Sequence, residues 1–75
     1  MIPEHLIAYT RLSRLAVLTE LASFEAEALV TFSSAIPGGD AREIAGIESE
    51  LTRLFLKSCE WLDAMREAAK EFRKP

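Results

Sequence analysis

The chain has 75 residues, 49% of them hydrophobic and 28% charged, with three Gly, three Pro and a formal net charge of −3. This composition excludes a disordered chain, and the acidic balance opposes long-range attraction to phosphate backbones or anionic lipid. The length suits one domain, near the size at which a single core becomes marginal and association supplies the missing burial.

The N-terminal Met-Ile-Pro-Glu-His lacks the positive region and apolar run of a signal peptide. No stretch reaches the roughly 18 uninterrupted apolar residues needed to span a bilayer. Cys59 is the only cysteine, so no internal disulfide can form, and a reducing setting is the default. A soluble, cytoplasmic protein without a membrane partner is expected.

From Glu4 to Ala35 there is no Gly or Pro, and Pro3 suits the first helical position, so a helix is expected over about 3–35. Leu15, Leu18, Ala22, Leu29, Phe32 and Ile36 form one stripe at three- and four-residue steps. Val17, Leu21, Phe24 and Ala28 widen it to roughly half the circumference, which suits a helix touching two neighbours in a four-helix bundle. Glu25 interrupts the arc near its centre. It is read as a charge at the bundle edge or paired with Arg53 of the second helix; the alternatives are a ligand, an acid–base group or a register-setting buried charge. Before Leu15 the stripe degrades, with Arg11 and Arg14 on the leucine side.

Ile36-Pro37-Gly38-Gly39-Asp40 is the break between the two halves. Pro37 cannot continue a helix, Gly38 and Gly39 tolerate a chain reversal, and Asp40 with Glu43 has the spacing of a capping box. The turn is expected at 36–40 and a second helix from about 41 to 73.

Ile47, Leu51, Leu54, Ser58, Trp61, Met65, Ala68 and Phe72 alternate steps of four and three along that second helix, a heptad seam over more than three repeats. Arg42, Glu60, Asp63, Glu67 and Lys70 make a solvated opposite face, on which Asp63–Arg66 and Glu67–Lys70 are spaced to pair. Equal arms then predict an all-α, antiparallel two-helix hairpin, with Leu29 near Ile47, Ala22 near Leu54, Leu18 near Ser58 and Leu15 near Trp61. Two such hairpins back to back would close a four-helix bundle. The seam of core and dimer is assigned to Leu15, Leu18, Leu21, Leu29 and Phe32 with Ile47, Leu51, Leu54, Trp61, Met65 and Phe72.

Catalytic constellations are not expected. His5 is the only histidine and stands outside any Glu-x-x-His motif, so no di-metal bundle site is predicted. Cys59 has no histidine positioned to activate it, and Gly38-Gly39 lacks phosphate-loop spacing. A non-enzymatic protein without metal or cofactor is therefore expected. Its function is read as that of a small adaptor or regulator that masks a partner protein through an apolar helical face, in the manner of an inhibitor or chaperone. The partner is itself, as a homodimer, or another protein; the alternative function is a purely structural assembly module. Off-stripe Tyr9, Leu12 and Val30, with Phe55 and Leu56, mark the candidate partner-binding patch. Nucleic-acid binding is disfavoured by charge, since it would need Arg11, Arg14 and Arg53 to line up.

Overall fold

The computed structural model of the protein describes residues 3–73 and the side chains of residues 4–70. Two helices, α1 (Pro3–Thr31) and α2 (Ala41–Arg73), pack against each other as an antiparallel hairpin, with no strand among the described residues. The expected all-helical hairpin is thus present. Its rod measures 59 × 17 × 13 Å, with a radius of gyration of 17.1 Å. A compact chain of this length has a radius of about 11 Å.

The helix break follows from Pro37. Its ring disfavours helical backbone at the preceding residue, and Ile36 is extended (φ −96°, ψ 120°). The chain therefore leaves the α-helix earlier than expected, at Thr31, and tightens into a short 3₁₀ helix over Ser33–Ala35. Phe32, Ala35 and Ile36 donate their N–H groups to the carbonyls of Leu29, Phe32 and Ser33 at 3.0–3.1 Å. Pro37 and Gly38 then form the centre of a turn closed by the Gly39 N–H donating to the Ile36 carbonyl at 2.8 Å, with Gly38 at φ 75°. Pro followed by a positive-φ Gly is the type II pattern. Asp40 opens α2 by accepting the Arg42 N–H on Oδ1 at 2.8 Å, an N-cap.

The seam between the helices is built mainly from small residues of α1. Buried or half-buried positions include Tyr9, Leu12, Ala16, Thr19, Ser23, Ala26 and Val30 on α1 and Ser33 in the 3₁₀ helix after it. They alternate steps of three and four, as a heptad seam requires. On α2 the corresponding row is Ile44, Glu48, Leu51, Phe55, Ser58, Leu62 and Met65. Ala16, Ala26 and Leu62 are the buried apolar residues. Thr19 and Ser58 are buried as well, because each hydroxyl satisfies itself within its own helix: Thr19 donates to the Leu15 carbonyl at 2.8 Å and Ser58 to the Leu54 carbonyl at 2.8 Å. Small side chains on α1 let the backbones approach, and α2 supplies the bulk that fills the space.

Here the structure departs from the sequence reading. Leu51 and Met65 line the intrachain seam, but Leu15, Leu18, Leu21, Leu29, Phe32, Ile47, Leu54 and Trp61 are exposed outside it. As contacts within one chain, that expectation is corrected; the side chain of Phe72 lies outside the described residues. The reason is that α1 is apolar on several sides at once, so hydrophobicity alone does not decide which side meets α2. Steric fit decides, and it selects the alanine–serine–threonine row. The axial register is close to the expected one: Tyr9 meets Arg66, one level from the pairing that sets Leu15 beside Trp61.

Candidate functional site

An antiparallel pair places corresponding flanks of the two seams on the same side of the hairpin. Residues just before seam positions on one flank are Leu15, Ala22 and Leu29 on α1, and Ile47, Leu54 and Trp61 on α2. All are apolar, so one side of the hairpin is an apolar face. The opposite flank carries Ser13, Glu20 and Glu27 with Thr52, Cys59 and Arg66, and it is polar. Of the sequence-derived pairs Leu15–Trp61, Ala22–Leu54 and Leu29–Ile47, every member but the half-buried Ala22 is exposed, so they flank the seam rather than interlock across it, and Leu18 is exposed while its expected neighbour Ser58 is buried.

The apolar face continues around α1. Leu18 (63% exposed), Leu21 and, beyond it, Val17 and Phe24 (57%) leave only the Glu20–Glu27 row consistently polar between Leu15 and Thr31, and Phe32 (64%) just past the helix adds to the apolar surface. A helix that is apolar nearly all round belongs inside a larger structure. By contrast α2 has a solvated outer side. Its four ion pairs, all among the described residues, join residues three apart: Arg53–Glu50, Lys57–Glu60 at 3.7 Å, Arg66–Asp63 at 3.1 Å and Lys70–Glu67 at 3.0 Å. The last two are the pairs that the sequence spacing implies. Such exposed pairs add little stability each, and their main effect is to keep this side wet.

The total surface makes the same point in area. The chain exposes 6068 Å², where a compact chain of 8.4 kDa exposes about 4,600 Å². The excess is roughly 1,500 Å² per chain, larger than the ~800 Å² each partner gives to a standard interface.

Among the described residues, Arg11, Arg14, Glu20, Glu25 and Glu27 take part in no ion pair. Glu25 is exposed and does not meet Arg53, which forks onto Glu50 of its own helix, its Nε donating at 3.0 Å. Neither is a buried charge. The same fork, by its hydrogen bond first and its charge second, holds the Glu50 carboxyl below the usual carboxylate range. Arg66 reaches across the seam to donate to the Tyr9 hydroxyl at 3.0 Å and stacks over its ring at 5.8 Å, a clamp at the open end of the hairpin. Lys57 lies 5.8 Å from the exposed Trp61 ring and shields one side of it.

The sequence-derived patch is divided. Tyr9, Leu12, Val30 and Phe55 are half-buried along the intrachain seam, and Leu56 stands exposed on the charged side of α2 between Ser49 and Asp63. Arg11 and Arg14 lie on α1, while Arg53 on α2 is paired with Glu50. Among the described residues no three His, Cys, Asp or Glu side chains converge on a metal-sized site, and no helix is long and apolar enough to cross a membrane. Cys59 is half-buried on the polar flank with no second thiol. The sequence reading assigned the exposed Leu15, Leu18, Leu21, Leu29 and Phe32 to the seam of core and dimer; what it missed is that the alanine–serine–threonine row of α1 forms the intrachain seam. No family model, curated protein or solved structure matches the chain.

Proposed function

We propose that this chain is a non-enzymatic protein-association module whose working surface is the apolar side of the hairpin, centred on α1. The observation that carries this reading is the exposure of Leu15, Leu18, Leu21, Phe24 and Leu29 on one helix, with Phe32 just past its end, in a chain whose other helix has a solvated outside. Burial of such a row stabilises by about 1.5–3 kcal/mol per large side chain, so an apolar helical stripe offered by another protein surface has a strong reason to dock there. Two hairpins laid face to face would close a four-helix bundle with α1 inside and the charged side of α2 outside. Function then follows from occlusion: whatever docks is masked or assembled, and no bond is made or broken.

Retention on the immobilised chain tests this. Wild type is expected to retain a partner, whether a second copy or another protein. Leu18→Asp/Leu29→Asp, with helicity checked by far-ultraviolet circular dichroism, is expected to lose it, and Leu56→Asp to keep it. Equal retention by the Leu18/Leu29 variant contradicts the proposal.

A further inference from the structure

We infer that the association face is self-complementary: its occupant is a second copy of this chain, packed α1 against α1 in antiparallel fashion about a twofold axis at Leu18. This inference rests on the association reading of α1 given above.

Charge distribution selects the orientation. Between Arg11 and Thr31 the cations, Arg11 and Arg14, precede Leu18 and the anions, Glu20, Glu25 and Glu27, follow it. A parallel pair of α1 helices sets like charge on like; an antiparallel pair sets opposite on opposite. Heptad spacing then selects the register. Arg11, Leu18 and Glu25 recur every seven residues, so they form one row along the helix, and all three are exposed. Leu18 is midway between Arg11 and Glu25, about 10 Å along the axis from each. A twofold axis there stacks Leu18 on Leu18 of the second copy and sets each Arg11 against Glu25 of the other chain. The same operation places Leu15 against Leu21 and gives the long Arg14 stem the small Ala22 as its neighbour.

Two further observations agree. Leu18 lies within a residue of the midpoint of α1 (Pro3–Thr31), so this register overlaps the helices along almost their whole length. An open depression of about 300 Å³ at Leu6, Ile7, Thr10, Arg11 and Arg14 lies opposite Leu29 of the second copy. The arrangement is isologous and closed, so it ends at a dimer rather than propagating into a fibre. It also accounts for Glu25, an unpaired carboxylate in the middle of an apolar arc, as half of an intermolecular pair.

Charge reversal tests the register. Arg11→Glu and Glu25→Arg each create two like-charge contacts in the twofold dimer, so each alone is expected to weaken self-association about tenfold or more. Mixed in equal amounts, the two variants regain opposite charges at both contacts. Sedimentation velocity is then expected to show a heterodimer of near wild-type affinity, and the double variant R11E/E25R is expected to recover self-association. A wild-type chain that stays single at 100 µM overturns the inference. Singles that dimerise normally, or that weaken without rescue on mixing, overturn it too. Leu18→Asp/Leu29→Asp separates the two levels. If that variant loses association while the charge variants have no effect, the face stands and the register falls; if it associates as wild type does, the face itself falls.

Discussion

At Gly39 a Cβ would lie 2.5 Å from the Ser33 carbonyl oxygen and 2.9 Å from Ile36, so no side chain fits without moving the backbone of the turn. At Gly46, inside α2, a Cβ meets nothing within 4 Å. The same substitution therefore has opposite signs. Gly39→Ala is expected to destabilise by about 1 kcal/mol or more, and Gly46→Ala to stabilise by about 0.5–1 kcal/mol through helix propensity. Thermal unfolding at one fixed protein concentration checks both. The sequence reveals the first of these sites, since Pro-Gly-Gly before Asp-x-x-Glu has one physical meaning. It hides the burial of Thr19, which lies off the apolar stripe expected of α1, whereas Ser58, 1% exposed, sits on the stripe expected of α2. Their donation to carbonyls three and four residues back leaves nothing for a partner to satisfy. Acidity reaches this scale only through Glu50. Its folded carboxyl titrates below the ordinary value, so the pair with Arg53 contributes at neutral pH and is lost as pH falls through that lowered value. Both side chains are exposed, so the loss of helicity expected in an acid titration is small.

The two helices differed in how much their sequences disclosed. On α2 the apolar residues occupy one side, and the expected stripe shares Leu51, Ser58 and Met65 with the observed seam; Ile47, Leu54 and Trp61 mark its free edge. On α1 the apolar residues occupy several sides, and periodicity picked the one with the largest side chains. The side that meets α2 is the one with the smallest, because close approach of two backbones favours Ala, Ser and Thr over Leu and Phe. A direct consequence is that Ala26→Leu, which adds bulk at a buried seam position, is expected to splay the helices and cost about 1–3 kcal/mol. Denaturant unfolding measures it; an unchanged midpoint would place the seam elsewhere. The Arg66–Tyr9 clamp shows why register was nonetheless legible: equal arms on either side of a short turn leave little freedom along the axis.

Across the whole molecule, the question is what a rod 59 Å long and 13 Å thin does with its surface. With Ala16, Ala26 and Leu62 as its buried apolar residues, the single hairpin has too little interior to hold itself together well; chains of this size usually add a staple or a partner. In the proposed assembly, folding is therefore coupled to association through α1, with the charged side of α2 left facing water. Coupling of that kind makes thermal stability depend on concentration, because a partner that binds only the folded chain stabilises it by mass action. The decisive measurement is the thermal midpoint of the wild-type chain over a hundredfold range of concentration, with mass followed in parallel by light scattering. A midpoint that rises with concentration, alongside a mass twice the 8.4 kDa of one chain, is the predicted result. A fully helical chain of single mass, melting cooperatively at a midpoint independent of concentration, would contradict it.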